Sequence, residues 1–243
     1  MSTDLPRKAL IALTSHSAPF YSDGRVNGVF YTEVAHPYQV LTKAGFEVEL
    51  ASETGTFVID PYSLEEQFLN EEDALVLKMP NAPFSRLLKT GVRKASELNG
   101  NDYGLFFASA GFASVYDYPQ ATALQTLAGD VWHRGGIIAA VCHGAAIFPG
   151  IKDPQNGRSI ISGAEVTGFS TQGDELAGVL GRIHGDGVET TEESAVGAGA
   201  NYVAPPTPFE AFTITSGRIV TGANPASAHM TAAAAVTAFE NTQ

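Results

Sequence analysis

Short apolar runs alternate along this chain with longer runs of helical spacing, and that alternation limits the folds open to it. The runs 9–14, 46–51, 103–108, 137–141 and 218–221 read as strands. Between or after them, 34–44, 121–134 and 225–239 carry helical periodicity, with Gly45 as a stop signal and Pro37 in or near a first turn. Weaker strand candidates lie at 160–161 and 212–214, and the Gly/Ala-rich 195–200 reads as a loop or helix end. Apolar strands alternating with helices predict an α/β fold: a mostly parallel sheet with helices on both faces. The length fits one domain spanning 1–243. Segment 60–100 is more polar, carries a predicted helix near 85–98, and reads as an insertion on that core.

Charge narrows the partners. With 14 basic against 26 acidic residues the net charge is −12, a surface that repels phosphate backbones and anionic lipids, so neither nucleic acid nor membrane is expected as a partner. A single cysteine cannot form an internal disulfide and suits a reducing compartment. The first residues lead directly into a strand without a long apolar run, so no signal peptide is expected and cytoplasm is the default.

In parallel sheets, chemistry collects where strands end and helices begin. Thr14-Ser15, Ser109-Ala110-Gly111 and Cys142-His143 fall at such places. The last is the most informative. The apolar strand ends in Cys142-His143-Gly144-Ala145-Ala146, small residues that let the backbone turn sharply. This is the logic of a nucleophile elbow with sulfur in place of oxygen. A helix N-terminus beyond it would favour the thiolate and lower the thiol pKa.

The other titratable residues are less informative. His16, His36, His133, His184 and His229 are scattered without metal-ligand spacing and read as structural or surface residues, so no metal site is expected. No glycine pattern matches a dinucleotide fingerprint or a phosphate loop. Tyr116 and Tyr118 read equally as pocket or core residues, and Glu33 reads by default as a solvated helix acid.

The sequence resembles the ThiJ/PfpI superfamily, whose flavodoxin-like sandwich is shared with class I glutamine amidotransferases. Within it, the chain is most similar to the fungal branch of glutathione-independent glyoxalases, also described as heat-shock chaperones. The resemblance covers nearly the whole length. It is carried by Ala12-Leu13-Thr14-Ser15, Phe20-Tyr21-Ser22-Asp23-Gly24, Gly28-Val29-Phe30, Glu33, His36-Pro37, Ser52-Glu53-Thr54-Gly55, Phe106-Phe107-Ala108-Ser109-Ala110-Gly111, Asp117-Tyr118-Pro119, Ala140-Val141-Cys142-His143-Gly144, Val166-Thr167-Gly168-Phe169 and the run 221–229.

The resemblance implies roles. Cys142 matches the nucleophile, His143 the adjacent catalytic histidine and Glu33 an acid that hydrogen-bonds the sulfur. The amides of Gly111 and His143 match the oxyanion site. The third triad member is usually a Glu; by register it is Asp174 here, with Glu175 the alternative. The pattern commonly has Gly-His-Gly where this chain has Gly111-Phe112-Ala113, so Phe112 implies a more apolar pocket, which Tyr116 and Glu175 are also expected to line. No cofactor is implied. The implied partners are a small aldehyde substrate and a second copy of the chain. The implied reaction converts a 2-oxoaldehyde to a 2-hydroxy acid. The alternatives are another Cys-dependent reaction on a more apolar substrate, such as isonitrile hydration, and a stress chaperone or redox sensor.

Overall fold

The computed structural model describes residues 5–242. Five strands form the parallel body of its main sheet: β1 (Lys8–Leu13), β2 (Glu47–Ser52), β4 (Leu105–Ala108), β5 (Ile137–Val141) and β9 (Ile219–Gly222). Two short edge strands, β3 (Val92–Lys94) and β8 (Thr213–Ser216), complete the order β3-β2-β1-β4-β5-β9-β8. All neighbours are parallel except β8, which runs antiparallel to β9. A separate two-stranded parallel pair joins β6 (Glu165–Val166) to β7 (Asn201–Tyr202).

The central strands are apolar throughout because both faces are covered. Alternate residues point to opposite faces. Ile11, Leu13, Leu105, Phe107, Ile137, Ala139, Val141 and Val220 share one core with Val34 and Leu41 of α1 (Thr32–Lys43). Ala228, Ala232, Ala235 and Phe239 of a C-terminal helix, Ala228–Glu240, pack into that same core. Leu10, Phe106, Ile138 and Ile219 face the other side. There they meet Leu124, Leu127, Ala128 and Val131 of the helix Thr122–His133. The carboxylate of Glu53, just past β2, accepts from the amides of Ala123 and Leu124 at 3.0 Å each. A negative charge there satisfies two unpaired donors at a helix N-terminus.

Three local readings of the sequence are corrected. The helix expected near 85–98 is split. After α2 (Glu71–Leu77), α3 (Pro83–Thr90) ends at Gly91, and the chain then enters β3 at the sheet edge. Segment 60–100 therefore contributes a strand to the main sheet. Residues 160–161 form a turn rather than a strand; Ile160 and Ile161 are apolar because they pack into the core beneath it. Beyond Cys142 the chain forms a tight 3-10 helix, Cys142–Gly150, where the start of an α-helix was expected. The remaining helices are α4 (Ser114–Asp117), α5 (Thr122–His133), α6 (Thr171–Leu176), α7 (Leu180–Gly185), α8 (Thr191–Gly197) and α9 (Ala228–Glu240). No helix among the described residues is long and apolar enough to cross a membrane.

Candidate active site

The carboxyl ends of β1, β4 and β5 meet at one point. Strands after β1 are added on one side of it (β2, β3) and then on the other (β4, β5), and such a switch point opens a crevice at the strand ends. Cys142 follows the last residue of β5 with a φ of +56°, the only positive φ at a non-glycine among the described residues. That left-handed conformation costs about 1–2 kcal/mol. The surrounding backbone enforces it: Gly144 lies so close to the Ala108 carbonyl that an added Cβ would approach its oxygen to 2.5 Å. The Cys142 carbonyl in turn accepts from the Phe169 amide at 3.2 Å, which ties the elbow to the segment leading into α6.

His143 is buried beside the thiol. Its Nδ1 lies 3.2 Å from Cys142 Sγ, and its Nε2 lies 2.9 Å from Asp174 Oδ1. An ionised carboxylate only accepts, so Nε2 carries the proton and Nδ1 is left free to take one from the thiol. Two rings that touch each other lie against the imidazole, Phe169 at 4.5 Å and Phe112 at 4.9 Å between centroids. Asp174 is buried in the first turn of α6, where the Ser170 side chain caps the helix by accepting from the Gly173 amide at 3.0 Å. Glu175, one residue on, is exposed and does not reach His143. The register reading is therefore the geometrically consistent one, and Glu175 is removed from the pocket.

Glu33 lies on the first turn of α1 and is fully buried, close to the Cys142 thiol and the Ala110 amide. Neither carboxyl oxygen is held by a well-formed hydrogen bond among the described residues. Burial pushes its pKa up to about 8, against smaller opposing contributions from Cys142 and Ala110. At neutral pH Glu33 is thus mostly protonated and able to donate toward the sulfur. The default reading of a solvated acid is overturned.

The expected lowering of the thiol pKa is also corrected. Burial pushes it up first, and the Glu33 carboxylate, when ionised, pushes further in the same direction. The His143 amide opposes them but is outweighed. Cys142 therefore rests as a thiol, with His143 placed to remove its proton.

Gly111 follows β4 with a φ of +155°. A Cβ there would fall 2.0 Å from the Gly28 carbonyl oxygen, so only glycine fits. Its N–H has no acceptor among the described residues, and Gly111, Cys142 and His143 all line a cavity of about 100 Å³. Phe112 lines this cavity together with Phe30, Tyr62, Phe68, Phe169 and Phe209. Sequence reading assigns none of these latter residues to a pocket, although Phe30 and Phe169 stand in segments that carry the resemblance.

Tyr116 does not line the cavity. Its ring stacks on His16 at 4.8 Å and its hydroxyl donates to Asp186 at 2.9 Å. Tyr118 is a core residue whose hydroxyl bridges the carbonyls of Ala12 and Ser109, pinning the ends of β1 and β4 together. Thr14 and Ser15 both donate to Asp117, at 2.7 and 2.6 Å, and are structural. Of the other histidines, His36 pairs with Asp73 and His184 with Glu193.

A parallel α/β sheet carrying a buried thiol, imidazole and carboxylate in sequence at a strained strand end defines a cysteine-centred α/β protein. No family model matches the chain. Individual relatives do. Glyoxalase 3 of Candida albicans is 46% identical over 233 residues, covering 96% of this chain and 98% of that protein. The crystal structure of glyoxalase III from the same organism superposes with a TM-score of 0.94 at 44% identity, covering 98% and 99%. The glutathione-independent glyoxalase HSP31 of Saccharomyces cerevisiae is 44% identical over 236 residues, covering 97% and 99%. A ThiJ/PfpI domain protein from Brachyspira murdochii shares the fold at a TM-score of 0.60 and 15% identity, covering 97% and 98%. The chain belongs to the family of fungal glutathione-independent glyoxalases.

Proposed function

We propose that this protein is a glutathione-independent glyoxalase, a lyase that converts a small 2-oxoaldehyde to the 2-hydroxy acid through Cys142. The observation that carries this reading is the line of contacts from Cys142 Sγ through the His143 ring to Asp174. As the thiol adds to the aldehyde carbon, His143 Nδ1 takes its proton. The new C–S bond gives a hemithioacetal whose oxygen faces the amides of Gly111 and His143. Donors aimed at a developing oxyanion typically contribute about 3–4 kcal/mol each.

His143 passes the thiol proton to the hemithioacetal oxygen and, neutral again, takes the proton from the former aldehyde carbon and delivers it to the neighbouring carbonyl carbon, by way of an enediolate. The first carbon is oxidised to a thioester and the second reduced to an alcohol, so the redox change is internal to the substrate. Water cleaves the thioester, releasing the hydroxy acid and restoring the thiol. Asp174 holds the imidazole in the productive tautomer, and protonated Glu33 stabilises sulfur while it carries charge. The sole cysteine suits a reducing, cytoplasmic setting, and a small uncharged aldehyde is the expected partner rather than nucleic acid or lipid.

The test is a D-lactate assay with methylglyoxal and no added thiol. Wild-type protein should form lactate and folded Cys142→Ala should form none. Undiminished turnover in Cys142→Ala would refute the reading.

A further inference from the structure

The walls above Cys142 say which 2-oxoaldehyde fits. No Lys, Arg, Asp or Glu lines the cavity among the described residues. A charged or heavily hydroxylated substituent would lose its hydration there without gaining a partner. With the aldehyde carbon at Sγ and its oxygen toward the Gly111 and His143 amides, the rest of the molecule must leave between aromatic rings. Phe112 and Phe169 meet edge to face at 5.9 Å, and each also lies against the His143 ring. Phe30 and Phe68 make a second such pair at 5.1 Å, and Tyr62 packs on Phe68 at 4.9 Å.

Phe209 lines the cavity with 55% of its surface still exposed, its ring centroid 6.2 Å from that of Phe169. An exposed aromatic at the mouth of an aromatic pocket is completed by an apolar group placed against it. A methyl group covers less of this aromatic surface than an aryl or branched alkyl group does.

Resting on the glyoxalase reading above, we propose that the site selects 2-oxoaldehydes bearing an aryl or branched alkyl substituent over methylglyoxal, with Phe112 and Phe209 as the specificity-determining residues. Phe112 closes the inner wall and Phe209 covers the outer face of the substituent.

The experiment compares kcat/KM for phenylglyoxal and methylglyoxal in wild type, Phe112→His and Phe209→Ala. The phenylglyoxal preference should be about tenfold or more in wild type, and each variant should lower that ratio severalfold. Phe209→Ala removes a half-exposed ring and so keeps the test independent of core packing. A second readout does not require turnover: protection of Cys142 from iodoacetamide by benzamide against acetamide, neither of which forms a thiol adduct. Benzamide should protect at about tenfold lower concentration, and Phe112→His should erase the difference. Equal protection by the two amides overturns the proposal, as does a substrate ratio at or below unity that neither variant changes. Selective protection by benzamide without turnover of either aldehyde would leave the pocket assignment standing and refute the glyoxalase reading instead.

Discussion

Glu33 gives the sharpest quantitative test, because a buried acid without a firm partner makes stability depend on pH. In the unfolded chain its pKa is the ordinary 4.5; in the folded protein burial pushes it up to about 8. Below pH 4.5 the side chain is neutral in both states and folding carries no ionisation cost. As pH rises from there, the unfolded chain releases the proton while the native state keeps it. The native state then binds more protons, and stability falls by about 1.4 kcal/mol per pH unit. The fall ends where native Glu33 also ionises, near pH 8. Over that interval it amounts to about 5 kcal/mol, a large share of the stability of a typical domain. Glu33→Gln keeps the shape and removes the titration. Urea unfolding of both proteins at pH 5, 6, 7, 8 and 9 isolates this contribution, since every other group titrates in both. The free-energy difference should open steadily in favour of Glu33→Gln up to pH 8 and then level off. A difference independent of pH, or one that grows in favour of wild type, would mean that Glu33 is ionised and paired in the native state. The account of its role toward sulfur would then fall.

Further outcomes follow from the same geometry. Asp174→Asn should lower kcat by roughly 10²- to 10⁴-fold, because a side-chain amide can hold the imidazole in the wrong tautomer, whereas Glu175→Gln should leave it unchanged; steady-state kinetics of the two variants decide, and equal effects would remove Asp174 from its role. His143→Ala should reduce D-lactate formation nearly as far as Cys142→Ala, since proton transfer would fall to water, and near wild-type rates in that variant would exclude His143 as the base. Iodoacetamide should alkylate Cys142 slowly at pH 7 and faster with rising pH, as the raised thiol pKa requires; a rate already level by pH 6 would show a thiolate at rest. Above pH 8, Glu33→Gln should speed alkylation by removing a like charge beside the sulfur, and an unchanged rate would place the carboxylate too far away to matter.

The parts of this molecule that announce themselves in sequence are those set by local periodicity or by one crowded turn. The central strands are legible because burial on both faces leaves uninterrupted apolar runs, as in Leu105–Ala108 and Ile137–Val141. The elbow is legible because a strand ending in Cys142-His143-Gly144 has few ways to turn. β3 is not: its three residues include one apolar side chain and follow a helical run, so only pairing with β2 makes them a strand. The aromatic walls are hidden for a related reason. Phe30 and Phe209 come from separate loops and Phe68 from the 3-10 helix Glu66–Phe68, and no spacing along the chain brings them over Cys142. The error about the thiol pKa has the same root. A helix start beside cysteine is a local feature that favours the thiolate, whereas full burial and the apposition of Glu33 arise only in the folded chain, and they are larger.

That reversal changes what the site must accomplish. A thiolate formed in advance would sit fully buried next to an acid and between aromatic rings, where charge is poorly solvated. Resting as a thiol, Cys142 avoids this cost until an aldehyde arrives. In the proposed mechanism, attack places negative charge on the substrate oxygen, toward the amides of Gly111 and His143, and positive charge on His143, whose Nε2 lies 2.9 Å from Asp174. Each charge thus appears beside a group already oriented to receive it, which is the condition under which a low-dielectric pocket stabilises a transition state more than the ground state. Glu33 fits the same scheme only while it keeps its proton: neutral, it can donate to sulfur as the C–S bond breaks in the final hydrolysis, and ionised, it would oppose that step. The proton that native Glu33 keeps up to about pH 8, at a cost to folding stability, is therefore the one that release of the thiol uses, and the alkaline limit of turnover should follow the Glu33 titration measured by unfolding.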